Sequence, residues 1–172
     1  SVGDNQEFEI MKLLIFLHGT LIMHKNGIGK TREERVEQSK SREESVLDFA
    51  SYVPVGNAVE KLRNWENHGV EICYLSSHEN ADDVEKDRQV LKKYEFPEGQ
   101  IFYRQGGATY SQVAEQVMPD VLIEDDCESI GGETEMTYPH IKSELKAKIK
   151  SIMVREFEGI DNLPDNIFEL GK

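Results

Sequence analysis

Short apolar runs separated by longer amphipathic stretches are the feature of this sequence that most limits its fold. Strands buried on both faces of a parallel sheet read as continuous runs of Leu, Ile and Val, and the crossovers between them are usually helices. The runs that fit this pattern cover residues 12–17, 70–75, 100–103, 121–124 and 151–154. We therefore predict an α/β fold in which helices cover a small, five-stranded, Rossmann-like parallel sheet.

An insert follows the first predicted strand. Residues 18–69 separate the first two strands, which is far more chain than one crossover helix requires. Within it, Thr31-Arg-Glu-Glu and Ser41-Arg-Glu-Glu both match the capping box, in which a hydroxyl and a carboxylate satisfy free amides at a helix start. We predict one or two polar helices over residues 31–50.

Three further helices are indicated between the later strands. Asn57 is placed to cap a helix that buries Trp65 and ends at Gly69. Asn80 is placed to cap the next helix, and a third is expected over residues 111–117. We expect Trp65 to be a core residue rather than a ligand contact.

Composition limits the classes of partner. The chain has 172 residues and a formal net charge of -13, which repels polyphosphate backbones and anionic membranes. We therefore expect no duplex nucleic acid partner and no membrane association. Cys73 and Cys127 do not form a CxxC pair, which favours a reducing, cytoplasmic location. We expect residues 1–10 to be a native extension or a cloning remnant, and residues 11–172 to form one domain.

Polar residues follow three of the predicted strands directly. They are His18, Gly19 and Thr20 after the first strand, Ser76, Ser77 and His78 after the second, and Glu124, Asp125 and Asp126 after the fourth. In open parallel sheets, ligands bind at the carboxyl ends of strands. We therefore expect these residues to meet at one edge of the sheet.

These three clusters, in this order, resemble the first, second and fourth motifs of the haloacid dehalogenase-like superfamily, most of whose members are Mg-dependent phosphatases. The resemblance extends over nearly all of the chain from Met11. It implies a three-layer Rossmann-like sandwich, with residues 21–52 as a very small helical cap insert. Residues 53–62 resemble the segment that leads from the cap back to the core.

The resemblance implies a role for each cluster. Ser76 matches the hydroxyl that holds the phosphoryl group, and Glu124 and Asp125, with Asp126 beside them, match the acidic pair that helps to bind Mg²⁺. The lysine or arginine of the third motif is best matched by Arg104, with Lys92 and Lys93 as alternatives. The predicted phosphate-binding residues are thus Gly19, Thr20, Ser76, Ser77 and Arg104.

The first motif departs from the family pattern Asp-x-Asp-Gly-Thr. An alignment on Gly19-Thr20 places Phe16 at the nucleophilic Asp and His18 at the acid/base Asp. An alignment on Ile15-Phe16 instead deletes the first Asp and still replaces the second with His18. In both cases no carboxylate remains to attack phosphorus, although His18 can in principle act as an acid or base near neutral pH.

Three functions fit these observations. The first is a pseudoenzyme that binds a small phosphorylated molecule, with weak Mg²⁺ binding, but lacks phosphoaspartate chemistry. The second is an atypical metal-dependent phosphatase of a small metabolite or nucleotide, which uses Glu124, Asp125 and Asp126 for the metal and His18 for proton transfer. The third is a protein-interaction module with a vestigial pocket.

Overall fold

The computed structural model describes residues 11–170, without the side chains of residues 167 and 168. The predicted extension over residues 1–10 lies outside the described part. The strands are β1 (Met11–Phe16), β2 (Ile22–Met23), β3 (Val53–Pro54), β4 (Val70–Leu75), β5 (Ile101–Phe102), β6 (Val121–Asp125) and β7 (Lys150–Val154). The helices are α1 (Arg32–Lys40), α2 (Ala58–Asn67), α3 (Ala81–Lys93), α4 (Tyr110–Val117), α5 (Ser143–Lys146) and α6 (Ile167–Leu170).

The main sheet has five parallel strands in the order β5-β4-β1-β6-β7. All five predicted strands are present, with ends shifted by at most one residue. The prediction of an α/β sandwich is thus confirmed. Because β1 lies in the centre, with β4 and β6 on either side, the residues that follow these three strands come together at one edge.

Two apolar cores cover the two faces of the sheet. Successive side chains of a strand point to opposite faces, and β1 accordingly contributes Leu13 and Ile15 to one core and Leu14 and Phe16 to the other. Helices α2 and α3 cover the first face, and α4 covers the second. Trp65 of α2 is fully buried in the first core, as predicted.

Two helix starts agree with the sequence. Thr31 and Glu34 form both hydrogen bonds of the predicted capping box at α1. Asn80 accepts a hydrogen bond from the amide of Asp83 at the start of α3. A hydroxyl or amide oxygen that satisfies a free amide at a helix start typically contributes about 1 kcal/mol to stability.

Two other predicted caps are wrong. Ser41 follows the end of α1 instead of beginning a helix, because Arg42 adopts a left-handed backbone conformation that reverses the chain. Two short 3₁₀ turns follow, at Glu44–Leu47 and Phe49–Ser51. Asn57 precedes α2 without a capping side-chain hydrogen bond.

The insert begins and ends on a small antiparallel pair of strands that the sequence analysis did not predict. Ile22 pairs with Pro54, and Met23 pairs with Val53. Helix α1 and the 3₁₀ turns lie between these strands along the chain, and the Phe49–Ser51 turn contacts α3. Among the described residues, no helix is both long and apolar enough to cross a membrane.

Candidate functional site

A cavity of about 120 Å³ lies at the carboxyl ends of the central strands, and we call it the crevice. Its lining residues include Phe16, His18, Gly19, Ser77, Tyr110, Asp125 and Glu156. Two larger cavities, of about 680 and 590 Å³, lie beside the loop before β5 and beside the start of α4. The crevice is the better candidate because it alone of these three contains residues from the ends of both β1 and β6.

The turn after β1 is tightly packed against acidic side chains. Gly19 has a φ of +86°, and a Cβ there would lie 3.0 Å from both Asp125 Oδ2 and Glu156 Cγ. Thr20 Oγ1 donates a hydrogen bond of 2.8 Å to Asp125 Oδ2. The Thr20 amide donates to the carbonyl oxygen of Leu17, and the Gly19 amide to that of Ile22. Gly19 and Thr20 thus position Asp125, and their amides are already used within the turn.

Phe16, the last residue of β1, forms part of the crevice wall. Its ring meets that of Tyr110 edge to face, with 5.1 Å between the ring centroids, and the residue is only 7% exposed. An edge-to-face pair of this kind adds about 1 kcal/mol beyond its buried area. The side chain at the end of the central strand is therefore fixed, apolar and unable to bind a cation.

The three predicted acids do not share one environment. Glu124 turns away from the crevice and accepts hydrogen bonds from the amides of Thr137 and Tyr138, at 2.7 and 2.9 Å. Asp125, the next residue, points to the opposite side, as alternation along a strand requires. The structure thus groups Asp125 with Asp126 and directs the carboxylate of Glu124 elsewhere.

Glu156 completes the acidic group in place of Glu124. Carboxylate oxygens of Asp125, Asp126 and Glu156 lie within 4.8 Å of one another, and we call these three residues the acidic group. Glu156 was missed by the sequence analysis, although it follows the fifth predicted strand as the other candidates follow theirs. The strand-end rule, applied to β7, is the signal that could have found it.

A second group lies on the other side of β1. Asp87, a fully buried residue of α3, accepts a hydrogen bond from Ser76 Oγ at 2.6 Å and lies 2.8 Å from His18 Nε2. Ser77 Oγ lies 2.5 Å from His18 Nδ1. His78 Nε2 is 3.6 Å from Asp87. We call His18, His78 and Asp87 the imidazole group; its three ligand-type atoms also lie within 4.8 Å of one another.

No protein-family model and no curated protein sequence matches the chain. Among solved structures, a class C acid phosphatase from Bacillus anthracis with tungstate bound superimposes with a TM-score of 0.54 at 13% identity, covering 92% of this chain and 72% of that chain. The fold is haloacid dehalogenase-like.

Two other similar structures were found. A chain of the Pnkp1/Rnl/Hen1 complex superimposes with a TM-score of 0.53 at 14% identity. The match covers 86% of the present chain but only 47% of the chain from that complex, so the present chain spans about half of its length. A HAD family hydrolase from Deinococcus radiodurans R1 with bound phosphate and sodium has a TM-score of 0.45 at 15% identity, covering 87% of this chain and 93% of that chain.

Burial and nearby negative charge make Asp125 and Glu156 costly to ionise. Burial raises the pKa of Asp125 to about 6, opposed by hydrogen bonds from Thr20 and the Cys127 amide. Burial, together with the charge of Asp125, raises the pKa of Glu156 to about 7, although Ser129 donates hydrogen bonds to it. Both shifts favour the neutral, protonated forms of these two carboxyl groups.

Arg32 of α1 partly compensates this charge from the outer side. Its guanidinium lies 3.4 Å from Asp126 and 2.8 Å from the exposed carboxylate of Glu128. It also donates to the carbonyl oxygen of Glu156 at 3.0 Å. The insert therefore contributes an arginine to the acidic group, which the sequence analysis did not identify.

The predicted phosphate-binding hydroxyls divide between two roles. Ser76 is fully buried, and its hydroxyl donates to Asp87 and accepts from the His78 amide. Ser77 is half-buried and lines the crevice. Of the two, Ser77 is the one that the structure places where a ligand can reach it.

Arg104 lies next to the crevice but is held by other groups. It donates to the carbonyl oxygen of Ser77 at 2.6 Å, pairs with Glu79 at 3.2 Å and stacks on the Tyr110 ring. It lines the neighbouring cavity of about 590 Å³. Lys92 and Lys93, the alternatives, are exposed near the end of α3. None of the three lines the crevice itself.

Proposed function

We propose that this protein binds a divalent cation, Mg²⁺, and a small phosphorylated molecule in the crevice, and does so without forming a phosphoaspartate. The observation that carries the proposal is the composition of the crevice wall. Asp125 and Glu156 line the crevice at the ends of β6 and β7, with the carboxylate of Asp126 beside them, whereas β1 ends in the ring of Phe16. The crevice can thus attract a cation but lacks the nucleophile of a phosphatase of this fold.

The donor set of the acidic group suits Mg²⁺. This ion prefers oxygen ligands and is usually held by one or two carboxylates together with water and phosphate oxygens. A cation beside Asp125 and Glu156 offsets the burial and the repulsion that raise their pKa values. Asp126 already accepts hydrogen bonds from the amides of Glu128 and Glu156, so we expect it to be the weakest of the three ligands.

Phosphate binding in the crevice depends on that cation. Among the described residues that line the crevice, none is a lysine or an arginine. A phosphate beside three carboxylates would be repelled, and a bound cation supplies the missing positive charge. On the opposite wall, the hydroxyl of Ser77 faces the space that a phosphate oxygen would occupy, whereas both ring nitrogens of His18 are already engaged, with Asp87 and with Ser77. The small volume favours a phosphoryl group alone inside the crevice, with the rest of the molecule outside.

Calorimetric titration tests the binding. We expect MgCl₂ to bind the wild-type protein, and inorganic phosphate to bind only when Mg²⁺ is present. Asp125→Asn should abolish both, whereas Glu133→Gln, which changes an exposed acid outside the acidic group, should change neither. Phosphate binding that is equally strong without any divalent cation would overturn the proposal.

Turnover of p-nitrophenyl phosphate tests the lack of chemistry. Loss of a nucleophile lowers turnover by several orders of magnitude, about 10⁶ in one hydrolase. We therefore expect the rate with Mg²⁺ to equal that of the Asp125→Asn variant. A rate that is well above background and is lost in this variant would contradict the non-catalytic assignment.

A second candidate function is an atypical metal-dependent phosphatase. It is favoured by the position of His18, whose ring lies between the hydroxyl of Ser77 and the carboxylate of Asp87 and borders the crevice. An imidazole held in this way can transfer a proton to or from a reacting group. If this function holds, the activity lost in Asp125→Asn is also lost in His18→Gln, with a folded protein in both cases.

A further inference from the structure

We propose that the imidazole group is a second metal site, selective for Zn²⁺ or a similar transition metal and separate from the acidic group. Its three members come from distant parts of the chain: His18 follows β1, His78 follows β4 and Asp87 lies within α3. This site goes beyond the proposed function, because it lies on the other side of β1 and none of its residues belongs to the acidic group.

The unpartnered nitrogen of His78 is the first reason for this assignment. His78 is 8% exposed, and among the described residues its Nε2 has no hydrogen-bond partner. The nearest acceptor, Asp87 Oδ1, is 3.6 Å away, which is too far for a hydrogen bond. Leaving a buried polar atom unsatisfied costs about 1–3 kcal/mol. A cation between His78 and Asp87 removes that cost.

The second reason is the spacing of the three donor atoms. His18 Nε2 lies 2.8 Å from Asp87 Oδ1, and all three donor atoms lie within 4.8 Å of one another. Zn²⁺ binds histidine nitrogen and carboxylate oxygen at about 2.0–2.2 Å, so it joins atoms up to about 4 Å apart. A displacement of less than about 1 Å therefore brings the set around one ion.

The third reason is the set of groups that orient the donors. Metal-binding histidines almost always use their other ring nitrogen in a hydrogen bond, and the carboxylates that bind metals are themselves hydrogen-bonded. Here Nδ1 of His18 contacts Ser77 Oγ at 2.5 Å, which leaves Nε2 directed at Asp87. The second oxygen of Asp87 accepts from Ser76 Oγ at 2.6 Å.

The chemistry of the donors distinguishes this site from the acidic group. Two imidazoles and one carboxylate are a typical ligand set for Zn²⁺, whereas oxygen-only groups suit Mg²⁺. Since imidazoles bind metals in their neutral form, the ion has to balance the charge of only one buried carboxylate, that of Asp87. Three protein ligands leave a fourth position for a water molecule or a ligand atom from the crevice, which His18 borders.

Zinc competition measures the site directly. The protein is titrated with ZnCl₂ against a chromophoric chelator, and we expect one Zn²⁺ per chain. His78→Ala and Asp87→Asn should each weaken binding by at least about 10-fold. His140→Ala, which removes a largely solvent-facing histidine, should leave the affinity unchanged. Equal zinc retention in all variants, or no binding by the folded wild type, overturns the proposal.

Ser77→Ala keeps the test decisive if a variant with a changed ligand does not fold. Ser77 is half-buried, and its hydroxyl contacts His18 rather than the metal position. We expect this variant to fold and to bind Zn²⁺ about 10-fold to 100-fold more weakly. Unchanged affinity in folded Ser77→Ala would argue against the assigned orientation of His18 and overturn the proposal.

Co²⁺ substitution identifies the ligand atoms. We expect visible absorption bands of a four-coordinate ion, lost in His78→Ala, without the near-ultraviolet thiolate band that cysteine ligation produces. A thiolate band would assign the metal to Cys73 or Cys127 and reject the site. We also expect the Co²⁺ spectrum to be unchanged in Asp125→Asn, because that substitution alters only the acidic group.

Discussion

The acidic group and the imidazole group lie on opposite sides of the same central strand, but their charges are balanced in different ways. In the acidic group, burial and like charges raise the pKa values of Asp125 and Glu156. In the imidazole group, burial also acts to raise the pKa of Asp87, but the charge of His18 and hydrogen bonds from His18 and Ser76 outweigh it and hold that pKa well below its usual range. At the same edge of the sheet, Asp125 and Glu156 thus lack a positive partner that would lower their pKa values, whereas the carboxylate of Asp87 is already stabilised by its neighbours.

Of the changes considered, removal of the Asp87 carboxylate should have the largest effect on the free energy of unfolding. Breaking a buried pair by deleting one partner typically costs about 3–5 kcal/mol, so we expect Asp87→Ala to lower the free energy of unfolding by about this amount. Urea denaturation measures it. Glu85→Ala is the control, since Glu85 lies on the exposed face of the same helix, and it should change stability by no more than about 0.5 kcal/mol. Similar losses for both variants would show that the Asp87 contacts contribute little.

The two groups should respond to pH in opposite directions. Asp125 and Glu156 have folded pKa values of about 6 and about 7, above their unfolded values near about 4. The folded protein therefore keeps protons that the unfolded chain releases, and stability falls as pH rises from about 4 to about 7. The slope is up to about 1.4 kcal/mol per pH unit for each group. Denaturation in EDTA measures it, and Asp125→Asn should flatten the curve.

Protonation of Asp87 should lower stability only in stronger acid. Because its pKa is depressed, its stabilising contribution is fully present above about pH 3.9 and is lost as pH falls below that value. The metal-free wild type is therefore expected to be most stable near about pH 4, where these two windows meet. A stability maximum above pH 7 would contradict the contrast between the groups.

Metal stabilisation should separate the groups further. A ligand present at 100 times its Kd stabilises the folded state by about 2.7 kcal/mol. We expect Asp125→Asn to lose stabilisation by Mg²⁺ and to keep that by Zn²⁺, and His78→Ala to show the reverse. Thermal unfolding with each metal in turn measures both. Loss of both responses in either variant would indicate a single shared site.

The smallest effect is expected for the acid that faces away from the crevice. Glu124 accepts two backbone hydrogen bonds and is not a member of the acidic group. Glu124→Gln should thus leave Mg²⁺ affinity unchanged, whereas Glu156→Gln should weaken it, as calorimetric titration can measure. Glu124→Gln should still cost about 1–3 kcal/mol of stability, because its amide nitrogen cannot accept from a backbone amide. Weakened Mg²⁺ binding in Glu124→Gln would restore the trio predicted from the sequence.

Local patterns predicted the sheet well and the helix starts unevenly. Strand positions follow from apolar runs, and the caps at Thr31 and Asn80 follow from neighbouring residues. The capping box predicted at Ser41 is wrong, because α1 ends at Lys40 and the left-handed turn at Arg42 follows directly. The pair formed by β2 and β3 was missed because each strand has two residues, too few for a periodic pattern.

For this protein, the sequence by itself determined the fold class, the strand ends at which a site forms and the absence of a carboxylate at the end of β1. These properties depend on residues close together along the chain. Only the tertiary structure decided the members of each group. His18 meets Asp87 across 69 positions and Asp126 meets Glu156 across 30. Contacts of this kind depend on strand order and side-chain direction, which place Glu156 and Asp87 beside the candidate residues and turn Glu124 away.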